Sequence, residues 1–442
     1  MPNLKDQLIR TSASDATNAQ IQLVNQAKSS DPNERLAAVS RIGLLLWNGA
    51  NLDEVAIAEF VSIGAVPVLV NCLESTDDRL LVAAAWTLMN ITNVKAREVF
   101  EAGAVPPFVK LLQSEDMEVC VCTAMALANI TAASDDRALA VIEAGALPPL
   151  VKLLQSENME VFVCTASALA IIANVKAREV VEAGAVPSLV NLLQSSNMQV
   201  CKQTVLALKN IAAASDDLSR AVAEAGALPP LVKLLQSENM ELCKQIAWAL
   251  TNITDASDDL ALAVVEAGAL PLLVKLLQSQ DMDLCESTAW TLKNIAAASA
   301  DLALAVIEAG ALPPLVELLQ SQNQEAYEEA SWAIGNIIVQ ILVLQLLFNF
   351  VSNRREKVIE LIEKSGGLQK IEQLKTKESE FILKMIEKLQ LTKGCVVCFD
   401  KKIDFVFIPC WHACVCEECA ENIGICPMCR QIISHKQRIY LP

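Results

Sequence analysis

The sequence predicts a mainly α-helical solenoid, built from tandem repeats, with a small metal-binding module near its C-terminal end. One short phrase, Gly-Ala followed by Val or Leu and then Pro, recurs seven times along the chain. Hydrophobic residues make up 53% of the chain and aromatic residues only 4%, which suits helices with small core side chains and excludes intrinsic disorder. Eight of the fifteen cysteines fall within residues 395–429, so a separate module is expected there.

The recurring phrase sets the period and the order of the predicted helices. We expect each repeat to contain one short helix and two longer ones. Ser215-Asp216-Asp217 has the pattern of a helix N-cap followed by acidic residues in the first turn. The glycine fits a helix C-terminus, where a left-handed residue is needed, and the following proline can open the next helix. The glycines, separated by 39 or 42 residues, are Gly64, Gly103, Gly145, Gly184, Gly226, Gly268 and Gly310.

The period is broken in two ways. The repeats of 39 residues lack the Ser-Asp-Asp turn and contain Val94–Arg97 or Val175–Arg178 instead, which predicts a loop deletion that leaves the helices intact. A weaker copy of the phrase follows only at Gly366, so we expect an irregular repeat at 337–365, with residues 338–352 as a lone third helix. The predicted organisation is a lead segment (1–30), a solenoid (31–391) and a zinc module (395–442).

The repeats resemble the armadillo repeats of importin-α, from about Asp31 to Leu391. Tryptophan four residues before a recurrent asparagine, as in Trp248 and Asn252, is a hallmark of that family. The resemblance implies a right-handed superhelix whose third helices line a concave surface. It also exposes a difference, because importin-α opens with a strongly basic segment, whereas residues 1–30 contain only three basic side chains. A transport role is therefore disfavoured.

The resemblance implies a peptide-binding groove along the third helices, strongest over residues 248–336. In the family, asparagine binds the peptide backbone and tryptophan holds long side chains. A side-chain amide can donate to a carbonyl and accept from an N–H, so such a ladder can bind an extended strand of any sequence. The alternative interpretation is that asparagine merely ends the third helix and tryptophan fills the core. The candidate groove residues are Trp86, Asn90, Asn129, Asn210, Trp248, Asn252, Trp290, Asn294, Trp332 and Asn336.

Charge limits the partners without naming one. Residues 1–352 carry 20 basic and 40 acidic side chains, which disfavours nucleic acid as a partner and permits a basic protein or peptide. An equally simple interpretation is a solvated, solubilising surface. The family's lysine-selecting acidic positions are occupied here by uncharged residues such as Val94 and Gln340, so selectivity for nuclear-localisation signals is not expected.

The C-terminal cysteines have the spacing of zinc ligands. Thiolates two residues apart can share one tetrahedral zinc, and eight ligands make two sites. A segment of about 48 residues has too small a core to fold unaided, so the metal ions are expected to supply folding free energy. The alternative of a disulfide framework is disfavoured because no signal peptide is recognisable. The candidate ligands are Cys395, Cys398, Cys410, His412, Cys416, Cys419, Cys426 and Cys429.

This order of seven cysteines and one histidine resembles the RING family, particularly the RINGs of inhibitor-of-apoptosis and neuralized-like ligases. The resemblance implies a cross-brace, in which Cys395, Cys398, Cys416 and Cys419 hold one ion and Cys410, His412, Cys426 and Cys429 the other. Cys414 is expected to be a non-ligand, although it could substitute. His435, past the last ligand, is expected in an exposed tail.

The same resemblance assigns residues for ubiquitin transfer. Val397, Pro427 and Met428 match the positions that bind the ubiquitin-conjugating enzyme, and Arg430 matches the linchpin arginine that can bridge that enzyme and ubiquitin. The ending, residues 438–442, resembles the tails of dimeric RINGs. The sequence therefore predicts a RING-type ubiquitin ligase with two zinc ions, whose partners are a conjugating enzyme, ubiquitin, a peptide or protein substrate and possible second copies of itself.

Three rival interpretations remain open at this level. The zinc module could be purely structural or inactive, the chain could be an importin-α-like adaptor, or it could inhibit ligases by sequestering conjugating enzymes. The repeat cysteines predict a reducing compartment, the cytosol or nucleus. A membrane is not expected as a partner, because the apolar stretch at 334–351 contains costly amides and matches the buried helices of other repeats.

Overall fold

The computed structural model of the protein describes residues 13–47, 51–156, 158–348, 405–408, 413–415, 421 and 435–438. The described part of the chain is mainly α-helical, which confirms the predicted fold class. The chain divides into two compact units, Met1–Ala227 and Leu228–Pro442.

The first unit is built from helices of the repeats, preceded by a helix in the predicted lead segment. The elements are α1 (Ala13–Gln26), α2 (Pro32–Leu45), α3 (Glu54–Ser62), α4 (Ala65–Cys72), α5 (Asp78–Glu101), α6 (Val105–Leu111), α7 (Met117–Ala132), α8 (Asp135–Glu143), α9 (Leu147–Leu153), α10 (Met159–Glu182), α11 (Ala185–Leu192), α12 (Met198–Ala214) and α13 (Asp216–Glu224).

The second unit continues the helical pattern and then contains short strands. Its elements are α14 (Leu228–Leu234), α15 (Met240–Ala256), α16 (Asp258–Glu266), α17 (Leu270–Leu276), α18 (Met282–Ala298), α19 (Ala300–Glu308), α20 (Leu312–Leu318), α21 (Gln324–Phe348), β1 (Phe405–Ile408), β2 (Ala413–Val415) and β3 (His435–Arg438).

Each repeat contains two short helices and one long one, so the expectation of one short and two longer helices is wrong. In one repeat α16 has 9 residues, α17 has 7 and α18 has 17. The second helix is short because a turn follows it at Gln278-Ser279, where the Ser279 hydroxyl accepts from the amide of Asp281 at 3.1 Å. The Asp281 side chain then caps the third helix by accepting from the amide of Leu284 at 3.2 Å.

The repeated glycines adopt the left-handed conformation that the sequence predicts. All seven have φ between 79° and 86°. At Gly268 the amide donates to the carbonyl of Val265 at 2.9 Å, which closes the first helix of the repeat. The predicted Ser-Asp-Asp positions also open helices, with Ser134, Ser215 and Ser257 at their N-caps.

The two shorter repeats keep their helices, as predicted. Where the Ser-Asp-Asp turn is missing, the third helix of one repeat runs into the first helix of the next, giving α5 and α10 with 24 residues each. A single residue breaks the helical geometry in each: Lys95 (φ −130°, ψ 47°) and Lys176 (φ −143°, ψ 60°). One non-helical residue therefore replaces the whole turn.

The prediction of a lone third helix at residues 338–352 is wrong. Residues 338–348 continue α21, a single helix of 25 residues that begins at Gln324. The physical reason is visible in the sequence, because no glycine, proline or Ser-Asp pair lies between Asn336 and Phe348 to end the helix. The rest of the predicted irregular repeat lies outside the described residues.

The repeat cysteines are buried free thiols, as predicted. Cys201, Cys243 and Cys285 are at most 1% exposed. Each thiol lies close to the carbonyl of the serine that follows the second helix, at 3.2 Å for Cys201 and 3.3 Å for the other two. Burial raises the pKa of the Cys285 thiol to about 11, so this residue remains a neutral donor at physiological pH.

One helix of the described chain, α10, is long and apolar enough to cross a membrane on length and composition alone, and α3 with α4 pass the same test together but are bent by 86°. Half of the most apolar window of α10 is buried inside the protein, and Lys176 interrupts the helix. Core helices pass such a test as well. In the apolar stretch that begins at residue 334, Ile334, Ile337 and Ile338 are fully buried.

We expect Gly268→Ala to lower the free energy of unfolding by about 1–2 kcal/mol, because a left-handed conformation is costly for alanine. The matched control is Gly335→Ala inside α21, where a Cβ atom would meet nothing within 4 Å. That change should be neutral or raise the free energy of unfolding by up to about 1 kcal/mol. Urea denaturation followed by circular dichroism measures both, and equal effects would contradict the capping role of Gly268.

Candidate peptide groove and candidate zinc module

The candidate groove residues lie on the third helices of the repeats. In the first unit these helices are α5, α7, α10 and α12, and each packs against the next. In the second unit α15, α18 and α21 pack in the same way. A spacing of four residues puts tryptophan and asparagine on one face of a helix. The pattern therefore generates a row of similar side chains across neighbouring repeats within each unit.

The tryptophans of this row are surface residues. Trp332 is 51% exposed, and Trp86, Trp248 and Trp290 are half-buried. The interpretation that these side chains fill the core is therefore wrong. The core of each repeat is filled instead by small and aliphatic residues, for example Leu250 and Leu292, which are fully buried.

Aromatic and charged side chains contact each other in the second unit. The rings of Trp248 and Trp290 meet edge to face, with their centroids 5.5 Å apart. The Lys293 ammonium lies 4.4 Å from the centroid of the Trp290 ring and forms a 2.6 Å ion pair with Glu329. The protein thus places one of its own cations over a groove tryptophan. Sequence reasoning missed Lys293, because its contact to Glu329 joins two different repeats.

The asparagines bridge neighbouring third helices, a role that the sequence did not reveal. The Asn336 amide donates to the carbonyl of Lys293 at 3.1 Å. The Asn294 amide donates to the hydroxyl of Thr254 at 3.3 Å and lies 3.4 Å from the carbonyl of Thr251. Each bond ties a repeat to the one before it. In the second unit, Gln340 repeats the arrangement one turn further on, donating to the carbonyl of Ala297 at 2.6 Å.

The first unit contains the same bridges and one exception. Asn129 donates to the hydroxyl of Thr92 at 3.1 Å, and Asn210 donates to the carbonyl of Ala170 at 2.8 Å. Asn90 is only 2% exposed, and its Nδ2 atom has no hydrogen-bond partner within the described chain. A primary amide has two N–H donors and a carbonyl acceptor, so a bridging asparagine keeps groups that a peptide backbone could use.

Carboxylates crowd the groove face in the second unit. Burial raises the pKa of Glu286, and the negative charges of Glu325, Asp283 and Glu329 raise it further. The Lys244 ammonium offsets part of this charge, since it lies 3.0 Å from a Glu241 oxygen and 3.5 Å from an Asp283 oxygen. The face is acidic overall, which agrees with the net charge of the solenoid.

The C-terminal module contains a three-stranded antiparallel sheet in the order β2-β1-β3. Cys414 lies in β2, and Arg438 pairs with Phe405 of β1. His435 lies in β3 and pairs with Ile408 of β1, so this part of the predicted tail forms a strand. The strand was missed because its sequence, His-Lys-Gln-Arg, carries no alternation of apolar and polar residues.

The eight candidate zinc ligands lie outside the described residues, as do Val397, Pro427, Met428, Arg430 and Tyr440. The described strands nevertheless allow a test of fit. Residues 409–412, which include Cys410 and His412, connect Ile408 to Ala413. Cys416 directly follows Val415, and Val415 pairs with Phe405 at the opposite end of the hairpin. A strand of three or four residues separates these ends by roughly 7–10 Å. No group of three or more metal-ligating side chains occurs elsewhere in the described chain.

Comparison with known families decides the class of the repeats. Seven stretches match the model of the armadillo/β-catenin-like repeat, at residues 61–93, 92–132, 134–169, 175–213, 215–255, 257–297 and 299–339, together more than half of the chain. The chain belongs to the armadillo-repeat family. Residues 392–436 match the C3HC4-type zinc finger, the RING finger, which contains every candidate zinc ligand. The predicted combination of armadillo repeats and a RING module is thereby confirmed.

Solved structures support the armadillo fold. A crystal structure of an engineered protein superimposes on 85% of this chain and 92% of its own, with 33% identity and a TM-score of 0.73. A designed armadillo repeat protein in complex with the peptide (KR)4 covers 53% of this armadillo chain and 99% of its own, with 36% identity and a TM-score of 0.50. A set of computationally designed armadillo repeat proteins for modular peptide recognition matches with 36% identity over 52% of this chain and 99% of its own, with a TM-score of 0.51.

Several curated relatives match a short stretch of the armadillo chain. Baculoviral IAP repeat-containing protein 8 of Homo sapiens is 45% identical over 56 residues, which is 13% of this chain and 24% of that protein. E3 ubiquitin-protein ligase XIAP of Rattus norvegicus is 43% identical over 56 residues, 13% of this chain and 11% of that protein. E3 ubiquitin-protein ligase LRSAM1 of Mus musculus is 45% identical over 49 residues, 11% of this chain and 7% of that protein. The chain thus spans a quarter or less of the length of these relatives.

We expect Glu286→Gln to raise the free energy of unfolding at pH 7. The pKa of Glu286 is raised in the folded protein, so its ionised form is disfavoured by folding at neutral pH. As the pH falls through the folded-state pKa, the glutamate takes up a proton preferentially in the folded state and the parent gains stability. The difference between the two proteins should therefore shrink toward pH 4. Urea denaturation at both pH values measures it, and a difference that is constant or grows on acidification would contradict this account.

Proposed function

We propose that this armadillo-repeat protein is a RING-type ubiquitin-protein ligase, in which the repeats bind the substrate and the RING binds a ubiquitin-charged conjugating enzyme. The observation that carries the proposal is the RING match at residues 392–436, which contains all eight candidate ligands. Two relatives that align with this part of the chain are named as ubiquitin-protein ligases.

The proposed chemistry needs no nucleophile on the chain. A RING holds the conjugating enzyme and its thioester-linked ubiquitin in a reactive arrangement, so its contribution is orientation and the prior loss of translational and rotational freedom. Val397, Pro427 and Met428 are proposed to bind the conjugating enzyme. Arg430 is proposed to bridge that enzyme and ubiquitin, because its planar fork of donors can serve two acceptors at once.

The proposed module holds two zinc ions, whose contribution is the folding free energy of a small domain. One ion is assigned to Cys395, Cys398, Cys416 and Cys419. The other is assigned to Cys410, His412, Cys426 and Cys429. The antiparallel pairing of β1 and β2 supports this division, since it separates the 409–412 connection from the end of β2. Cys414, within β2, is left without a metal in this assignment.

The proposed substrate site is the groove face over residues 248–336, where tryptophan and asparagine occur together in three successive repeats. The exposure of Trp332 and the partial exposure of Trp248 and Trp290 support it, because these rings are accessible to a bound side chain. A designed armadillo repeat protein binds the peptide (KR)4. We propose that a flexible segment of the substrate binds here.

We further propose that the protein acts in the cytosol, the nucleus or both. The seven cysteines of the repeats are free thiols, which fits a reducing compartment. A RING-mediated dimer is also proposed. Its support is that β3 pairs with β1 and ends at Arg438, which leads directly into the aromatic ending of the chain, residues 439–442.

We expect the purified full chain, mixed with activating and conjugating enzymes, ATP and ubiquitin, to modify itself. Arg430→Ala should slow this reaction by roughly tenfold or more, the effect of removing one charge-assisted contact of about 1.5–3 kcal/mol. Metal analysis of both proteins should give two zinc ions per chain, because the arginine is not a ligand. Arg430→Lys serves as the matched control, since it keeps the charge and loses the planar fork.

The result separates the rival functions. Ubiquitin transfer by the Arg430→Ala variant at the parent's rate would reject the linchpin role. A parent chain that carries zinc but never discharges the conjugating enzyme would favour the adaptor. Tight binding of a charged conjugating enzyme without discharge would favour the inhibitor.

A further inference from the structure

On the groove face, the side chains at two positions of the third helix change from apolar to polar along the chain. Four residues before the tryptophan position, the first three repeats have valine and the later repeats have charged residues. The residues, in chain order, are Val82, Val121, Val163, Lys202, Lys244, Glu286 and Glu328. The neighbouring position changes in the same way: Ala83, Cys122, Cys164, Gln203, Gln245, Ser287 and Glu329. Both positions switch from apolar to polar at the same repeat boundary.

The apolar positions of the first unit line two adjoining cavities. One has a volume of about 650 Å³ and is lined by Val121, Met125, Met159, Val163 and other side chains. The second has a volume of about 570 Å³ and is lined by Leu36 and Leu44 among others. Val82 and Trp86 line both cavities, so the two join into one apolar groove. Volumes of this size suit the burial of side chains of a ligand.

Several large apolar side chains of this groove are exposed. Leu44 is 67% exposed, Met117 36% and Met159 37%. Exposed apolar side chains that form a continuous concave surface indicate a binding site rather than scattered surface residues. Methionine is flexible and polarisable, so its side chain adapts to apolar groups of different shape.

The rim of the apolar groove is acidic. Asp78, Asp116, Glu118 and Glu160 line the two cavities, whereas the basic residue among their lining, Arg79, is already paired with Asp77 at 3.0 Å. Glu118 and Glu160 are exposed, and no ion pair joins them to a basic residue of the described chain. The rim carboxylates also affect Cys122, whose side chain lines the groove. Burial, and then the negative charge of Glu118, raise the pKa of the Cys122 thiol to about 12. An uncompensated acidic rim attracts a basic partner.

We propose that this apolar groove of the first unit binds a peptide segment of a partner protein in which large apolar side chains are flanked by lysine or arginine. The apolar side chains enter the cavities on either side of Trp86, and the basic residues lie against the carboxylates of the rim. The site is separate from the groove proposed above over residues 248–336. It does not depend on ubiquitin transfer.

The full chain is tested with a fluorescent peptide of the sequence Lys-Lys-Leu-Ser-Ser-Leu-Lys-Lys. Its leucines are about 10 Å apart in an extended backbone, similar to the distance between adjacent packed helices, and a turn of the Ser-Ser linker out of regular strand geometry brings both side chains to one face. We expect saturable binding in a fluorescence polarisation assay. Replacing both leucines by alanine should weaken binding at least about tenfold, because the apolar side chains are no longer buried in the cavities. Replacing the lysines by glutamate should abolish it.

The protein variant that tests the site is Val121→Lys combined with Val163→Lys. The fold accepts lysine at this position, since Lys202 and Lys244 occupy it in two other repeats. Binding of the peptide should fall at least about tenfold, because the apolar floor is lost. The control, Val55→Lys with Ile21→Lys, adds the same charge at exposed residues outside the two cavities and should change affinity by no more than about twofold.

Three outcomes would overturn the proposal. The parent could fail to bind the peptide, the Val121→Lys/Val163→Lys protein could bind it as well as the parent, or the glutamate peptide could bind equally well. Analytical ultracentrifugation of the same proteins adds a further outcome. If the parent is a dimer and the groove variant a monomer, the occupant is a second copy of the chain. The binding assay contains no ubiquitin enzymes. A failure of the peptide to bind therefore contradicts this proposal alone, and the proposed ligase activity is measured separately by ubiquitin transfer.

Discussion

Within each unit, the packing of a third helix against the third helix of the preceding repeat is the interaction on which the armadillo structure depends. A single repeat of about 40 residues cannot bury its own apolar face, so its stability comes from its neighbours. Leu250 and Leu292 are fully buried in that contact, but apolar packing alone does not fix how one helix is oriented against the next. The polar bridges between the helices fix that orientation. Asn294 and Asn336 each donate to the helix before them, which fixes how neighbouring third helices align.

The same packing leaves one face of every third helix free to vary. The asparagine and tryptophan side chains on that face are only partly used in contacts within the protein. A bridging amide keeps hydrogen-bonding groups for a ligand, and the tryptophan rings stay accessible. The positions before them differ between repeats without disturbing the buried side. In the second unit the position four residues before each tryptophan is charged, with Lys244, Glu286 and Glu328. In the first three repeats the equivalent residues are apolar and line the groove around Trp86. One scaffold can thus present two chemistries.

Sequence reasoning succeeded where the cause is local and failed where it joins distant residues. The left-handed glycines, the capped helix starts and the fused helices at Lys95 and Lys176 follow from short patterns within a few residues. The helix lengths were misjudged because the Ser279 turn was not recognised, and residues 338–348 were separated from α21 although no residue there ends a helix. The asparagine bridges and the ion pair of Lys293 span about one repeat, and no local pattern reveals them. The zinc ligands could be predicted from spacing, because metal chemistry restricts both residue type and separation, and their assignment stays a prediction.

We propose that a segment bound by the second unit's groove is delivered to the RING for ubiquitination. The most direct test uses a partner captured by residues 248–336 and follows ubiquitin transfer to that partner by the full chain and by the Asn252→Ala, Asn294→Ala and Asn336→Ala triple variant. Loss of three backbone bonds of about 0.5–1.5 kcal/mol each should reduce capture and transfer together by roughly tenfold or more, while self-modification continues. The matched control, Asn129→Ala with Asn210→Ala, removes two inter-repeat bridges in repeats without tryptophan and should leave transfer to the partner unchanged. Equal transfer to the partner by the triple variant and the parent would contradict the account.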